Sequence, residues 1–415
     1  MGSLKKHGAS QGDEKIIRPN FKKHLLKKQV LEIFYRHVHQ TIADLCEATN
    51  NSIPTITNLM GELLAERWVK DFGIGQSKGG RKPVLYGINP NYGYIFGIDL
   101  SRQFTRLCIF NLHNQQVGEL VEINHGLDNT EDILAVLKEE VAKTLKYNHI
   151  ANEKILGYGI AIPGLIDIKK NVSYSYKQFG DPPLRETFGE LLGRPAYIEH
   201  DTKIMVLGEL WFGLAKNFRN VLLVNIGSGI GLSMILNGEL YYGNSGFSGE
   251  FGHIQMDSNG ELCYCGKIGC LETIASGTAL VKRARKKIAE GKNTLINKLA
   301  NHNLDEIKQQ TIIEAAHLGD QFAIELLEDA GEVLAKGISV LIHLFNPEAI
   351  IIGGQMAEAG NLIKDPIYQK LNKYTMLRLK QDTQILVSQL KKRARLMGTL
   401  PVVMNKVFDF DSYPN

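Results

Sequence analysis

Three cysteines fall within eight residues, as Cys263-Tyr264-Cys265 and Cys270, and His253 stands ten residues upstream. A C-x-C-x4-C run beside an imidazole supplies four soft or borderline donors, the set that holds tetrahedral zinc. Four protein donors leave no open coordination position, so the expected role is structural. Gly260, Gly266 and Gly269 permit the tight turns of such a knot. The spacing leaves the fourth ligand open between His253 and another residue. Five cysteines in all, three of them crowded together, suit a metal site in a reducing compartment and not a disulfide framework.

Carboxylates surround this segment. Asp201 follows an apolar strand and precedes a helix, where it could accept a hydroxyl proton as a general base or simply cap the helix. Glu250 and Glu272 bracket the cysteines and could accept hydrogen bonds from sugar hydroxyls or be ordinary polar residues. The backbone amides of Gly227-Ser228-Gly229-Ile230-Gly231, between two strands, could cradle a phosphate. A tight hairpin needs the same residues.

The elements that position these groups begin at Tyr94. Strands are expected at 94–100, 105–112 and 116–123, then a helix at about 130–147, strands at 155–162 and 196–199, and a helix at about 202–213. A second β-rich run covers 221–226, 229–236 and 239–242. Helices then dominate 272–345, and a strand at 349–352 ends in Gly353-Gly354. A last helix covers about 391–407, with Pro401 inside it. Two halves that each open with a meander predict two similar lobes around a cleft that takes a small molecule.

The first 92 residues differ in charge. They hold 14 Lys+Arg against 8 Asp+Glu, in a chain of 415 residues with net charge +4. A basic front on a slightly acidic body predicts a polyanionic partner. Residues 1–20 are polar and are expected to form a disordered tail. Leu25, Leu26, Val30, Ile33 and Phe34 recur at helical spacing. Thr41 heads a short helix at 42–48, Thr49-Asn50-Asn51 is a turn, and Ser52 caps a third helix with Pro54 in its first turn. Ile56, Leu59, Leu63 and Leu64 form its buried stripe. A strand at 68–71, a Gly-rich tip at 73–82 and a strand at 84–88 complete the order of a winged helix-turn-helix. Short polar side chains at Ser52, Thr55, Thr57 and Asn58 suit base edges in a major groove, and Lys78, Arg81 and Lys82 suit phosphates or a narrow minor groove. No apolar run approaches the ~20 residues of a membrane helix, and residues 1–28 lack a secretory signal. No membrane insertion and a cytoplasmic location are expected.

Taken together, these residues resemble the ROK family of repressors and sugar kinases, over about residues 21–408. Its most specific part is Gly249-Glu250-Phe251-Gly252-His253 followed by Cys263-Tyr264-Cys265-Gly266-Lys267-Ile268-Gly269-Cys270-Leu271-Glu272. The resemblance implies an α/β fold, with a winged helix-turn-helix at 21–92 and a two-lobed actin-like ATPase (ribonuclease H-like) body. Lobe 1 would cover 93–215 and lobe 2 216–390, with the zinc segment at 253–270. The C-terminal helix at 391–415 would pack back on lobe 1. It implies zinc on His253, Cys263, Cys265 and Cys270, and sugar contacts from Gly164, His200, Asp201, Glu250, His253 and Glu272. Nucleotide contacts would fall on Gly227, Ser228, Gly229, Gly231, Gly353 and Gly354.

Kinases of the family carry a Gly-Gly-Thr-Lys turn for ATP phosphates, whereas Asp99 here precedes Leu100-Ser101-Arg102-Gln103-Phe104-Thr105. The expected function is therefore a non-enzymatic, sugar- or sugar-phosphate-responsive repressor, binding operator DNA as a homodimer or homotetramer. A sugar-transport protein is a further expected partner. The alternative is an ATP- and Mg2+-dependent sugar kinase with an appended DNA-binding domain and Asp201 as its base.

Overall fold

The computed structural model describes residues 11–75, 82–129, 132–176, 179 and 183–408. Its N-terminal module comprises α1 (Gln11–Arg36), α2 (Ile42–Thr49), α3 (Ile53–Ala65) and the hairpin β1 (Val69–Ile74) and β2 (Val84–Ile88). Local chemistry sets each boundary. At α2 the Thr41 hydroxyl accepts from the Asp44 amide while the Asp44 carboxylate accepts from the Thr41 amide, a capping box. Asn50 closes α2 in the left-handed region, and Ser52 caps α3. Gln40 pairs with Tyr86 across the other edge of β2, an isolated bridge beside the hairpin.

Two expectations change here. The tail expected over 1–20 is helical from Gln11 onward. Its Gln, Glu, Lys and Arg residues are good helix formers, and polarity does not break a helix that an apolar stripe continues. The first hairpin strand also runs to Ile74, because pairing resumes at Ile74↔Val84 after an irregularity at Phe72 and Gly73. Lys78 and Arg81 lie outside the described residues.

The body begins with β3 (Tyr94–Leu100), β4 (Thr105–Asn111), β5 (Gln116–Ile123), α4 (Ile133–Tyr147), β6 (Ile155–Ile162), the short pair β7 (Ile166–Asp167) and β8 (Val172–Ser173), α5 (Leu184–Leu192), β9 (Ala196–His200) and α6 (Asp201–Phe212). It continues with β10 (Val221–Ile226), β11 (Ile230–Leu236), β12 (Glu239–Leu240), α7 (Leu271–Ala275), α8 (Gly277–Ala289), α9 (Leu295–Leu299), α10 (Gln309–His317), α11 (Gln321–Phe345), β13 (Ala349–Gly353), α12 (Asn361–Tyr374), α13 (Leu377–Asp382), β14 (Gln384–Val387) and α14 (Ala394–Val407). The two five-stranded sheets have the orders β5-β4-β3-β6-β9 and β12-β11-β10-β13-β14. In both, an antiparallel meander supplies the first three strands, and the last two run parallel to the meander's first strand. The two lobes thus repeat one topology. β14 escaped the sequence reading because four residues carry too little periodicity to stand out.

Each lobe has its own core, around Phe96, Ile160 and Phe188 in one and Leu222, Leu334 and Ile352 in the other. A third core joins the winged module to the body. It unites Val30, Phe34, Tyr35, Ile56, Leu63 and Val69 with Ile95, Phe110 and the α14 residues Leu396, Leu400, Val403 and Met404. Rings line the seam: Trp68 stacks on Tyr92 at 3.8 Å, and Phe408 lies 5.6 Å from Trp68 and 6.2 Å from Tyr35. Among the described residues, no helix is long and apolar enough to cross a membrane.

Helix α14 packs on β3, β6 and α6. Its approach to α6 is as close as two helices allow, because a Cβ on Gly398 would lie 1.8 Å from the Ile204 carbonyl oxygen and one on Gly208 2.5 Å from that of Ala394. Gly398→Ala should therefore force the two helices apart and cost about 2–3 kcal/mol or more in chemical unfolding, whereas Ala at the open helical position Gly61 should raise stability by about 0.5–1 kcal/mol.

Candidate functional site

Strands β3, β6 and β9 run parallel, so their C-terminal ends share one edge of the sheet. That edge carries Asp99, Pro163-Gly164 and His200, and α6 opens there with Asp201. Lobe 2 contributes the turn after β10 and Gly353-Gly354 at the end of β13. Ends of parallel strands are where open α/β sheets take ligands.

Asp201 is not a free carboxylate. Its Oδ2 lies 2.9 Å from Nη2 of Arg395 on α14, and its Oδ1 lies 3.4 Å from Nδ1 of His200 and 3.1 Å from Oγ1 of Thr202. Arg395 Nη1 also reaches Oδ1 of Asp99 at 3.2 Å and Oγ of Ser101 at 2.8 Å. Asp99 is fully buried and meets Arg106 at 3.6 Å. Burial works to raise the Asp201 pKa, yet Arg395 and His200 together hold it below its ordinary value. The capping alternative for Asp201 is corrected. His200 is the cap, its Nδ1 accepting from the Thr202 amide at 3.3 Å, because Asp201 already has helical geometry.

Neighbours brace this centre. Buried Glu199 accepts from the Tyr242 hydroxyl and the His200 amide, each at 2.8 Å. Lys203 donates to the Gly246 carbonyl at 2.6 Å and so ties α6 to the loop that leads to Glu250. The Phe104 ring lies 4.0 Å from the Arg106 guanidinium, and Arg102 pairs with Asp128 at the surface.

His253, Cys263, Cys265 and Cys270 converge, with all four donor atoms within 4.8 Å of one another. Cys263 Sγ lies 3.6 Å from His253 Nδ1, and Cys265 Sγ 3.6 Å from Cys270 Sγ. A tetrahedral ion with ~2.3 Å bonds to sulfur requires donor separations of about 3.8 Å, so the cluster fits one metal ion. His253 presents Nδ1 to the cluster. Its Nε2 faces the Tyr264 hydroxyl at 3.0 Å and Glu250 at 3.8 Å, toward the cleft side.

The other expected residues divide. Glu272 accepts from the Ile230 amide at 2.8 Å, so one of its carboxylate oxygens braces the Gly-rich turn. The 227–231 segment is a tight hairpin between β10 and β11, closed by a bond from the Gly227 amide to the Gly229 carbonyl, with Ser228 at its centre. Gly231 lies against Thr202, and a Cβ on Gly354 would meet Asn225 Oδ1 at 2.4 Å, so both Gly-rich turns sit close to the start of α6. Gly164, with φ of +89°, lies against Ser175 and Tyr176. Sequence reasoning missed Arg395 and Arg106. Arg395 is 296 positions from Asp99, and nothing in local spacing announces such a pair. Tyr264 was in plain view but lacks a ligand atom that the metal pattern would select.

On the winged module, Ser52, Thr55, Thr57 and Asn58 are all exposed, with Ile56, Leu59, Met60 and Leu63 buried behind them. Met60 takes the place expected of Leu64 in the stripe, and Leu64 is half-buried. Lys82 is exposed.

The family model described as ROK family matches residues 95–406. The xylose repressor of Caldicellulosiruptor bescii is 31% identical over 86% of this chain and 90% of its own length. A glucokinase of Thermotoga maritima is 30% identical, over 60% of this chain and 79% of its own length. Among solved structures, a ROK-family transcriptional regulator described as a homologue of the E. coli MLC protein superposes with a TM-score of 0.76 at 24% identity, covering 94% of this chain and 97% of that one. That last likeness concerns the fold.

Burial lowers the His200 pKa from 6.5, against the raising influence of Asp201. A depressed histidine keeps its stabilising neutral form above the unfolded value, and the contribution is lost as pH falls from 6.5 toward the folded value. His200→Asn should therefore flatten the decline of unfolding free energy between about pH 7 and pH 5, measured by urea unfolding at each pH.

Proposed function

The chain belongs to the ROK family, and on that premise we propose that it is a sugar-responsive transcriptional repressor, cytoplasmic and dimeric on its operator. The observation that carries the reading is the union of an exposed polar helix end, on a winged module, with a ROK body whose Asp201 is held by a guanidinium. The module's recognition helix would enter the major groove with Ser52, Thr55, Thr57 and Asn58. Lys78, Arg81 and Lys82 of the wing would contact phosphates or the minor groove. A two-fold dimer would match two half-sites. The sugar or sugar phosphate would lie between the strand ends of the lobes, on Gly164, His200, Asp201, Glu250, His253 and the free oxygen of Glu272. The Gly-rich turns would face its phosphate, if one is present. Relatives named xylose repressor make a pentose the first sugar to test.

The metal in this reading is zinc, held by His253 Nδ1, Cys263, Cys265 and Cys270. When bound it supplies structural order and no open coordination position. With Nδ1 on the metal, His253 Nε2 carries the proton and can donate to a hydroxyl oxygen beside Glu250.

The kinase reading keeps one supporting observation, a carboxylate at the start of α6. Two observations oppose it. A general base works best with a pKa near the operating pH, whereas Arg395 lowers that of Asp201 and occupies its Oδ2. The turn after Asp99 also carries the bulky Phe104 ring against Arg106 in place of the glycines of the kinase turn.

Fragments selected from a random DNA pool at near-physiological salt should contain a two-fold, A·T-containing site for the whole chain and none for a chain lacking residues 1–92. Xylose, glucose or N-acetylglucosamine should then release the selected fragment in a mobility-shift titration. Enrichment without sequence preference would refute the repressor reading. Cys265→Ala should drop zinc from one ion per chain to none by elemental analysis and abolish sugar binding. Full zinc content in that variant would refute the ligand set.

A further inference from the structure

Helix α14 has one end in the sugar-side centre and the other in the winged module. Arg395 lies in its first turn and Phe408 just past its last. We propose that α14 carries effector binding to the winged module, with Arg395 as the positioning residue that ties the helix to Asp201 and Asp99 until a sugar hydroxyl engages Asp201. The inference rests on the sugar-responsive reading above.

Arg395 is the point of competition. Its side chain is only 18% exposed, and its nitrogens are distributed over Asp201, Asp99 and Ser101. A hydroxyl that donates to Asp201 Oδ2 shares that acceptor with Arg395 Nη2. Such pairs are screened little by salt, so a change at the carboxylate is felt fully at the guanidinium. The guanidinium sits at the helix end, and its displacement is a displacement of the helix.

The middle of α14 transmits and does not absorb the movement. Gly398 and Gly208 bring its backbone against that of α6, and side chains on both helices are close-packed. Packed elements of this kind shift between discrete arrangements and resist continuous bending. At the far end, Val403 and Met404 enter the core they share with the winged module, and the Phe408 ring meets Trp68 and Tyr35. Trp68 immediately precedes β1, the first wing strand, and Tyr35 is on α1. The module also touches the β4–β5 turn, through His113 with the Ile88 carbonyl and Tyr35 with Asn114. Those contacts join it to lobe 1 without reaching Asp201. Helix α6 also spans the two, from Asp201 at its start to Trp211, whose ring lies 5.9 Å from that of Tyr35 and 5.3 Å from the Arg36 guanidinium. α14 and α6, packed backbone to backbone, form one connection, and Arg395 is its link that a sugar hydroxyl competes with.

The chain's two tryptophans, Trp68 and Trp211, both lie at this seam, which makes it directly observable. The first test uses neither sugar nor DNA. In hydrogen exchange on the full chain, Arg395→Gln should speed exchange of residues 396–408 and 66–72 by about fivefold or more, leave β13 unchanged, and be partly reversed in Arg395→Lys. Unchanged exchange at 66–72, or equal acceleration of β13, overturns the proposal. The second test leaves the sugar site intact. In a Trp211→Phe chain, xylose, glucose and N-acetylglucosamine are titrated by calorimetry and by Trp68 emission. The sugar that binds should shift the emission. Phe408→Leu should lose most of that shift while its sugar Kd stays within about threefold. A full shift in Phe408→Leu overturns the relay. Absence of binding heat with the parent chain refutes the sugar reading instead, and the exchange test still decides the relay by itself.

Discussion

Two buried carboxylates, Asp99 and Asp201, stand at the ends of neighbouring elements of lobe 1, and neither can be left unpaired. Removing a charge from water costs several kcal/mol even after relaxation, and a lone buried carboxylate would take up a proton or unfold its surroundings. The chain meets this demand from its far end, with Arg395. That single requirement fixes much else. α14 must return across β3, β6 and α6 to deliver the guanidinium, and glycines must stand where its backbone meets that of α6. The same pairing decides chemistry. A guanidinium that lowers the carboxylate's pKa and occupies one of its oxygens makes it a weaker proton acceptor.

The returning helix also solves a problem of size. A module of about 70 residues buries too little apolar surface to be stable with much margin. This one shares its core with α14 and the outer face of lobe 1, through Leu400, Met404, Phe408 and the rings of Trp68, Tyr92 and Tyr35. The buried side of α3 is therefore committed to packing, while its N-terminal polar residues remain exposed. The division of one helix into a packed stripe and a polar end is what allows recognition and attachment in so few residues.

The metal segment follows a similar logic. Residues 253–270 contain little that is buried, and Leu262, Tyr264 and Ile268 are exposed. A segment without a core of its own needs another source of order, and convergent thiolate and imidazole donors supply it when they hold an ion. Glu272 then links the far end of the knot to the hairpin at 227–231, and His253 links its near end to Glu250. The cysteine segment, the hairpin and the cleft edge are in this way positioned by one another.

The sequence by itself determined the local and the periodic. The helix caps at Thr41 and Ser52, the two strand meanders, the Cys-x-Cys cluster and the charge difference between front and body all depend on residues close in the chain. Hydrophobic spacing and turn chemistry encode such features directly. The spacing left the fourth donor open, and the folded chain places His253 with the cysteines. The tertiary structure alone decided the state of Asp201. Its role as base, cap or contact depended on Arg395, nearly two hundred positions away and on an element whose side-chain direction no pattern specifies. It likewise decided that Glu272 braces a turn and that the winged module is seated on the last helix. Buried charge pairs and shared cores are settled by which surfaces meet, and that is a property of the folded chain.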